Sequence, residues 1–336
     1  MRVCVVGAGS IGGMVAVRMA AAGIPVTVVA RGAHLQAIRA HGLRLINADG
    51  TEQVAHDMRS TERLRECGPH EVVILAVKAT QLAEMACDVP SLLTDDGVVL
   101  PMQNGIPWWY FHRHGGPLAG QMIETVDPAG QILRQIDADR VLGCVVYPAA
   151  EIVEPGVIRQ IEGERFALGE LDGSMSDRLT RTAALFERAG MKAPLLEDVR
   201  AELWLKLWGN LTFNPVSALT HAPLSDICEF PASRELAAQM MAEAQTVAGK
   251  LGIGFRVSID KRIAGAQRVG RHKTSMLQDI EAGREPEIEA LVGSVLELAR
   301  LTTTPAPRIE AVYALVKLLA ATMVREQVKV RALPRA

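Results

Sequence analysis

Three polar side chains in the second half of the sequence have types and a spacing that could do chemistry. Lys206, Asn210 and Asn214 recur every fourth residue within a stretch, 203–215, that is otherwise almost entirely apolar. Residues four apart share one face of a helix, and a helix that is apolar on its other faces is buried. The stripe indicates either a site in a wet cleft, or a lysine that snorkels to solvent while the amides cap a turn kinked by Pro215.

An ammonium on such a stripe could assist a reaction that leaves negative charge on an oxygen atom, of which the reduction of a carbonyl group is one example. Hydride delivered to a ketone carbon leaves negative charge on the oxygen, and a nearby ammonium can stabilise that charge and donate the proton. The sequence offers no competing arrangement, because its eight histidines are scattered and show no metal-ligand spacing and no Ser-His-Asp or Cys-His pattern. We therefore expect a site without a metal.

A glycine-rich motif near the N-terminus predicts where a cofactor binds. Residues 7–12 read G-A-G-S-I-G between a predicted strand at 2–6 and a predicted helix from Ile11 to Ala22. In that context the pattern is typical of dinucleotide binding, since the glycines allow a tight turn, close approach of a pyrophosphate and helix–strand packing. The free N–H groups of the helix N-terminus then face the anion. The expected cofactor-binding residues of the motif are Gly7, Gly9, Ser10, Ile11 and Gly12.

The end of the second predicted strand indicates which dinucleotide binds. Domains that bind NADH usually carry an acidic residue there for the ribose hydroxyls, whereas this chain has Arg31. The planar guanidinium can pair with a 2′-phosphate, so the sequence predicts NADPH. The alternative is that Arg31 is an ordinary exposed charge.

These side chains must be positioned by two kinds of domain. Predicted strands at 2–6, 25–29, 72–77 and 97–101 alternate with helices, which is typical of an α/β fold with a parallel sheet, and an antiparallel extension of that sheet is expected at 141–170. Helical periodicity dominates the remainder, including a helix capped by Ser233 and another at 308–325. We predict an N-terminal Rossmann-type domain over residues 1–196 and an all-helical domain over 197–336.

The composition of the chain limits the kinds of binding partner and the cellular compartment that we expect. The 36 basic and 38 acidic residues are interspersed, so no footprint for nucleic acid or an anionic membrane is expected. Five cysteines without a C-x-x-C pair favour reduced thiols and a cytoplasmic location. Glycines interrupt the apolar N-terminus, which argues against a signal peptide, and no later run suggests a membrane span. A small molecule is the expected partner, and a homodimer is left open.

Several landmarks occur together in one order along the chain, and they resemble the ketopantoate reductase (2-dehydropantoate 2-reductase) family. They are the G-A-G-S-I-G motif, Val77-Lys78, Gln103-Asn104-Gly105, the W-x-K-L-x-x-N-x-x-x-N run from Trp204 to Asn214, and Ser275-Met276-Leu277-Gln278-Asp279 followed by Glu287. The resemblance spans nearly the whole chain. It implies NADPH-dependent reduction of a 2-oxo acid, with 2-dehydropantoate reduced to pantoate in pantothenate biosynthesis.

The resemblance also implies a role for each matching residue. Lys206 corresponds to the general acid and Glu287 to an acid that orients the substrate and the ammonium. The other implied contacts are the substrate-positioning amides Asn210 and Asn214, the substrate-carboxylate contact Ser275, and Lys78 and Asn104 beside the nicotinamide and substrate. Plainer interpretations remain for four of them: Lys78 as a surface residue, Asn104 as part of a turn, Ser275 as a helix cap and Glu287 as an acid that favours a helix start.

One segment departs from the family pattern and leaves the substrate open. Bulky aromatic residues, among them Trp108 and Trp109, follow Asn104 where a smaller continuation is expected. We hypothesise that at least one of the tryptophans shapes the pocket for an apolar substrate tail. The alternative is that both pack a loop or a subunit contact. A reductase of another branched or aromatic 2-oxo acid, or a non-catalytic NADP(H)-binding redox sensor, are the competing functions.

Overall fold

A computed structural model describes residues 1–332, which divide into two compact units. The first unit comprises Met1–Gln103, Phe111–Met122 and Ala129–Val199, and the second comprises Asn104–Tyr110, Ile123–Pro128 and the chain from Arg200 onward. The second unit therefore draws two short segments from the first half of the chain. The predicted boundary between residues 196 and 197 did not anticipate these segments.

The first unit is built on strands and four helices. Its strands are β1 (Val3–Val6), β2 (Val26–Val29), β3 (Leu43–Ile46), β4 (Glu52–Ala55), β5 (Arg59–Thr61), β6 (His70–Leu75), β7 (Leu93–Pro101), β8 (Gly143–Val146), β9 (Ala149–Glu154), β10 (Val157–Glu162) and β11 (Phe166–Gly169). Its helices are α1 (Ser10–Ala21), α2 (Gly32–His41), α3 (Ala79–Met85) and α4 (Asp177–Arg188). The predicted strands and the first predicted helix are present with small shifts at their ends.

A five-stranded parallel sheet in the order β5-β2-β1-β6-β7 forms the centre of the first unit. All four residues of β1 and of β2 are buried, as expected for strands that are covered on both faces. Helix α1 packs close to the neighbouring sheet, because a Cβ at Gly13 would overlap Ile158 of β10. The core of this unit confirms the predicted α/β fold class.

The strands between residues 141 and 170 do not extend the central sheet, and that expectation was wrong. Strands β9 and β10 pair antiparallel, but β10 also pairs parallel with β3, which gives a separate sheet in the order β4-β3-β10-β9. Strands β8 and β11 form an antiparallel pair of their own. The turn-forming residues predicted hairpins between neighbouring strands. The pairing of β10 with β3 could not be predicted in this way, because the two strands are more than 100 residues apart in sequence.

The second unit is helical over its described residues. Its helices are α5 (Val199–Thr220), α6 (Leu224–Glu229), α7 (Pro231–Lys250), α8 (Ile259–Arg268), α9 (Ser275–Ala282), α10 (Ser294–Leu301) and α11 (Pro307–Glu326), with a π-helical turn at Glu289–Gly293. The prediction that Ser233 caps a helix was wrong. Helix α7 starts at Pro231, which is favoured in a first turn, and the Ser233 hydroxyl donates to the carbonyls of Ile227 and Phe230 instead. No helix within residues 1–332 is long and apolar enough to cross a membrane.

All five cysteines are free thiols without a disulfide bond. Cys4, Cys67, Cys144 and Cys228 are buried, and Cys87 is exposed. A buried free thiol behaves as a small apolar side chain. Four of the five cysteines therefore contribute to packing.

Candidate active site

The glycine motif forms a tight turn between β1 and α1. Gly7 has φ +99°, and a Cβ there would lie 2.8 Å from Cγ1 of Val77. A Cβ at Gly12 would overlap the Gly7 carbonyl oxygen and lie 2.7 Å from Cβ of Ala76. Both positions therefore need glycine, one for its backbone conformation and one for the close approach of helix and strand.

The space in front of α1 fits the phosphates of a dinucleotide. A Cβ at Gly9 would meet no atom within 4 Å, so the backbone is open there. Helix α1 begins at Ser10, and no side chain within residues 1–332 caps its N-terminus. The first N–H groups of the helix, including those of Ser10 and Ile11, are the donors that bind an anion at a helix N-terminus. The loop thus has the open backbone that a pyrophosphate needs.

A histidine that belongs to none of the sequence motifs holds this loop. Nε2 of His34 in α2 donates to the Ala8 carbonyl at 2.7 Å, and Nδ1 accepts the N–H of Gly156 at 3.0 Å. These two bonds assign the neutral Nε2–H tautomer. Partial burial lowers the pKa of His34 below its ordinary value of 6.5, although the bond to Ala8 opposes the shift. The only sequence signal was its place three residues after Arg31.

The structure places Arg31 and Lys78 at helix starts in the same unit. Arg31 follows β2, immediately precedes α2 and is exposed. Lys78 immediately precedes α3 and is half-buried. The Gln103 amide fixes the chain just before Lys78, because its Nε2 donates to the carbonyls of Leu75 and Val77 at 2.8 and 2.9 Å. Both cations therefore lie after parallel strands, as ligand-binding residues do in such sheets.

In the second unit, the structure brings Lys206 and Asn104 together. Nζ of Lys206, in α5, donates to Oδ1 of Asn104 at 2.6 Å, although the two residues are 102 positions apart. Both side chains are half-buried. A charge-assisted hydrogen bond of this kind is directional, so Asn104 sets where the ammonium points. The structure thus brings two of the implied site residues into contact, and the catalytic role of Lys206 remains a prediction.

The segment after Asn104 is fixed against the chain that follows Glu287. The N–H of Ile106 donates to the Ala290 carbonyl at 2.9 Å. Gly105 has φ +92°, and a Cβ there would lie 2.9 Å from Cβ of Ala290. Gly105 is therefore required for a close backbone approach rather than for an isolated turn. Glu287 is half-buried and lies three residues before Ala290.

Asn214 and Ser275 meet at the other end of the polar stripe. Nδ2 of Asn214 lies 3.5 Å from Oγ of Ser275, and Asn210 lies between Asn214 and Lys206 on α5. Ser275 is the first residue of α9, but the cap is Thr274, whose hydroxyl accepts the N–H of Leu277. Ser275 is therefore not the N-cap of α9, and its exposed hydroxyl could bind a ligand at the start of this helix.

Aromatic residues anchor the beginning of α5. Nε1 of Trp204 donates to the Tyr110 hydroxyl at 2.7 Å, and Nε of Arg200 donates to the Tyr110 carbonyl at 2.7 Å. Trp108 and Trp109 are buried, with exposures of 4% and 2%. Their burial favours the packing interpretation over a tryptophan that lines a pocket for the substrate tail.

The first unit provides an open, glycine-lined helix N-terminus. In the second unit, the Lys206 ammonium contacts the Asn104 amide, and the amides of Asn210 and Asn214 follow Lys206 along α5. The former fits a dinucleotide phosphate, and the latter fits a carbonyl oxygen that gains negative charge. Together they define a dinucleotide-dependent oxidoreductase.

Comparison with known proteins identifies the family. A family model described as "Ketopantoate reductase PanE/ApbA" matches residues 3–173, and a second one, described as "Ketopantoate reductase PanE/ApbA C terminal", matches residues 198–320. The chain belongs to this family.

Three relatives are similar over almost their whole length. A 2-dehydropantoate 2-reductase of Mesorhizobium japonicum is 50% identical over 321 residues, which cover 95% of this chain and 98% of that protein. A crystal structure of a candidate ketopantoate reductase from Ralstonia solanacearum MolK2 is 42% identical and superposes with a TM-score of 0.91, covering 96% of this chain and 98% of that one. A PanE/ApbA family ketopantoate reductase from Ralstonia eutropha JMP134 is 25% identical with a TM-score of 0.83, covering 96% and 100%.

Proposed function

We propose that this chain is an NADPH-dependent 2-oxo-acid reductase that converts 2-dehydropantoate to pantoate, the step that supplies pantothenate biosynthesis. The geometric observation that carries the proposal is the 2.6 Å bond from Nζ of Lys206 to Oδ1 of Asn104. The 50% identity with the Mesorhizobium japonicum 2-dehydropantoate 2-reductase supports the choice of substrate. Arg31 supports the choice of NADPH over NADH. A homodimer and a cytoplasmic location remain predictions.

The proposed chemistry assigns one proton transfer to this chain. The hydride that adds to the keto carbon of the substrate would come from a dinucleotide held at the glycine loop. As the carbon–oxygen π bond breaks, the Lys206 ammonium donates a proton to the oxygen, which yields the alcohol and a neutral amine that regains its proton from water. Asn104 directs the ammonium towards that oxygen. We further propose that Asn210, Asn214 and Ser275 bind the rest of the acid.

Glu287 and Lys78 complete the proposed assignments. We propose that Glu287 orients the substrate and stabilises the charge on Lys206. Glu287 lies three residues before Ala290, whose carbonyl accepts the N–H of Ile106 in the segment that follows Asn104. Lys78, at the start of α3, would contact the dinucleotide in the first unit. Gly7, Gly9, Ser10, Ile11 and Gly12 would hold the pyrophosphate.

The test is NADPH oxidation with 2-dehydropantoate and a panel of other 2-oxo acids. We expect 2-dehydropantoate to have the highest kcat/KM. Lys206→Ala should lower kcat by about 100-fold or more, since a general acid contributes at least that much. The binding of NADPH, measured by fluorescence titration, should be unchanged.

Lys261→Ala, which removes an exposed lysine of α8, is the matched control and should keep full activity. If the Lys206→Ala variant kept most of its kcat, Lys206 would not be the general acid. If the wild-type chain bound NADPH and reduced no 2-oxo acid, the redox-sensor alternative would replace the proposal.

A further inference from the structure

A second arginine lies at the same edge of the central sheet as Arg31. Strand β5 is the edge strand beside β2, and Val29 of β2 pairs in parallel with Thr61 of β5. The N–H of Ala30 also donates to the Thr61 carbonyl at 3.0 Å, so the pairing continues past the end of β2. Arg31 is the next residue after Ala30, and Arg63 lies two residues after Thr61. Two residues of chain span about 7 Å at most, so the two arginines start from neighbouring positions.

The backbone at Arg63 is held in place by Thr61. The Thr61 hydroxyl accepts the N–H of Arg63 at 3.2 Å and donates to the Glu66 carboxylate at 2.5 Å. Thr61 is buried, and Arg63 immediately precedes a 3₁₀ turn at Leu64–Glu66. Arg63 itself is exposed. Its side chain therefore starts from a fixed point at the carboxyl end of β5 and is accessible to a ligand.

Neither Arg31 nor Arg63 is neutralised by the part of the chain that the structure describes. Within residues 1–332, no hydrogen bond or ion pair involves either guanidinium group. The arginines on both sides of Arg63 differ in this respect, because Arg59 donates to two backbone carbonyls and Arg65 lies 2.7 Å from Asp88. Two like charges that lie close together repel each other, and an anion that binds to both removes the repulsion.

The 2′-phosphate of NADPH has the charge and the acceptor atoms that such a pair of arginines can bind. A phosphate monoester carries about −1.5 to −2 charges at pH 7 and three acceptor oxygens, so a single guanidinium leaves part of the charge unpaired. Guanidinium groups commonly bind two phosphate oxygens at once. In sheets of this kind the adenosine ribose lies at the end of the second strand, which here is β2. The end of β5 is its immediate neighbour.

We propose that Arg63 binds the 2′-phosphate of NADPH together with Arg31, so that arginines from two neighbouring strands form the phosphate site and set the preference for NADPH over NADH. The inference rests on the proposed function, which assigns Arg31 alone to this phosphate. NADH carries a hydroxyl in place of the phosphate and leaves both guanidinium groups without an anion. Arg63 is a binding residue for the cofactor and takes no part in the transfer of hydride or proton.

The experiment measures the affinities of NADPH and NADH by fluorescence titration of the wild type, Arg31→Ala, Arg63→Ala and the double variant. We expect Arg63→Ala to weaken NADPH binding by about tenfold or more and to leave NADH binding unchanged, because it removes a charge-assisted contact that only the phosphate makes. The double variant should bind NADPH no more tightly than NADH. Arg63→Lys should lose part of the affinity, since it keeps the charge without the planar fork of donors.

The adenosine halves of the two cofactors separate the phosphate from the nicotinamide. 2′,5′-ADP carries the 2′-phosphate and AMP lacks it. In competition titrations, Arg63→Ala should weaken 2′,5′-ADP by the same factor as NADPH and leave AMP unchanged. Arg65→Ala is the matched control, because Arg65 is an exposed arginine two residues away that pairs with Asp88; it should bind both cofactors as the wild type does. Circular dichroism establishes that each variant is folded, and Arg63→Lys carries the test if Arg63→Ala is not.

Unchanged affinities for NADPH and 2′,5′-ADP in Arg63→Ala would overturn the inference and leave the proposed function intact. Equal losses for NADPH and NADH would also overturn it, since a contact with the 2′-phosphate does not affect NADH. A loss of the same size in Arg65→Ala would do the same, because it would reflect positive charge in general.

The proposed function fails in a different way. A wild-type chain that bound NADPH and NADH equally well would overturn the proposed choice of cofactor together with the inference. A wild-type chain that reduced no 2-oxo acid, while Arg63→Ala lost affinity for NADPH alone, would overturn the proposed reaction and support the phosphate site.

Discussion

Arg31 is the residue on which the choice of dinucleotide rests. It follows β2 directly and its side chain is exposed, so a 2′-phosphate could reach it without rearrangement of the fold. A charge-assisted hydrogen bond is worth about 1.5–3 kcal/mol, or about 10- to 100-fold in affinity. We expect Arg31→Ala to weaken NADPH binding by that factor and to leave NADH binding unchanged, as measured by fluorescence titration. Equal losses for both dinucleotides would mean that Arg31 does not contact the 2′-phosphate.

Trp109 shows what the aromatic residues after Asn104 do. Its ring is 2% exposed, and the guanidinium carbon of Arg200 lies 5.9 Å from the ring centroid. Truncating a buried tryptophan to alanine costs about 3–5 kcal/mol. We expect Trp109→Ala to lower the free energy of unfolding by that amount in urea titrations, while the ranking of 2-oxo acids by kcat/KM stays the same.

Trp109→Phe is the matched variant, since it keeps an aromatic face for Arg200. The indole N–H of Trp109 has no hydrogen-bond partner among residues 1–332, so phenylalanine loses no hydrogen bond. We expect a smaller loss of stability than for alanine. A changed substrate ranking in the alanine variant would restore the hypothesis that the tryptophan lines the pocket.

At the scale of elements, His34 connects the glycine loop, α2 and the turn before β10. Its ring donates to Ala8 and accepts from Gly156, and both bonds require the neutral form. Because burial holds its pKa below 6.5 in the folded chain, the unfolded chain takes up a proton first as the pH falls. The unfolded state then binds more protons, so stability falls on acidification below pH 6.5.

We therefore expect the free energy of unfolding to decrease between pH 7.5 and pH 5.5, and to decrease less in His34→Gln. Glutamine can donate and accept as the neutral ring does, but it does not titrate. His70 contributes a second part of the pH dependence, because burial also lowers its pKa. Urea titrations at the two pH values measure the slope, and equal slopes in the wild type and His34→Gln would show that His34 has no part in it.

At the scale of the whole molecule, the second unit is not a contiguous C-terminal half. Segments Asn104–Tyr110 and Ile123–Pro128 belong to it. The first supplies Tyr110, which accepts hydrogen bonds from Trp204 and Arg200. The second supplies backbone N–H groups at Glu124 and Thr125 that donate to the Glu297 carboxylate at 2.8 and 2.7 Å. Without these segments, buried polar groups of the helical unit lose their partners.

A fragment of residues 197–336 is therefore expected not to form the native helical unit. Its helices should give a far-ultraviolet circular dichroism signal without the near-ultraviolet signal of ordered aromatic rings, and thermal unfolding should be broad. The full-length chain is the control and should unfold cooperatively. A fragment with a sharp transition and native near-ultraviolet spectrum would show that the two early segments are dispensable.

The sequence alone determined the features that depend on local patterns. The G-A-G-S-I-G motif predicted the turn at Gly7 and a helix from Ile11, and the structure has that helix one residue earlier, from Ser10. Both features follow from backbone conformation within a few residues. Four-residue spacing predicted that Lys206, Asn210 and Asn214 share a face of α5, since that is a property of the helix itself. The resemblance to the family added Asn104 as an implied contact of the nicotinamide and substrate, which no local pattern carries.

Only the tertiary structure decided the features that join distant parts of the chain. The contacts of Lys206 with Asn104 and of His34 with Ala8 depend on which elements pack together. The pairing of β10 with β3 depends on packing in the same way, and so does the fact that Asn104–Tyr110 belongs to the second unit. Hydrophobic periodicity predicts which face of an element is buried. It does not predict which residues cover that face, because the hydrophobic effect is non-directional. The identity of the neighbour is set by the packing of residues that are distant in sequence.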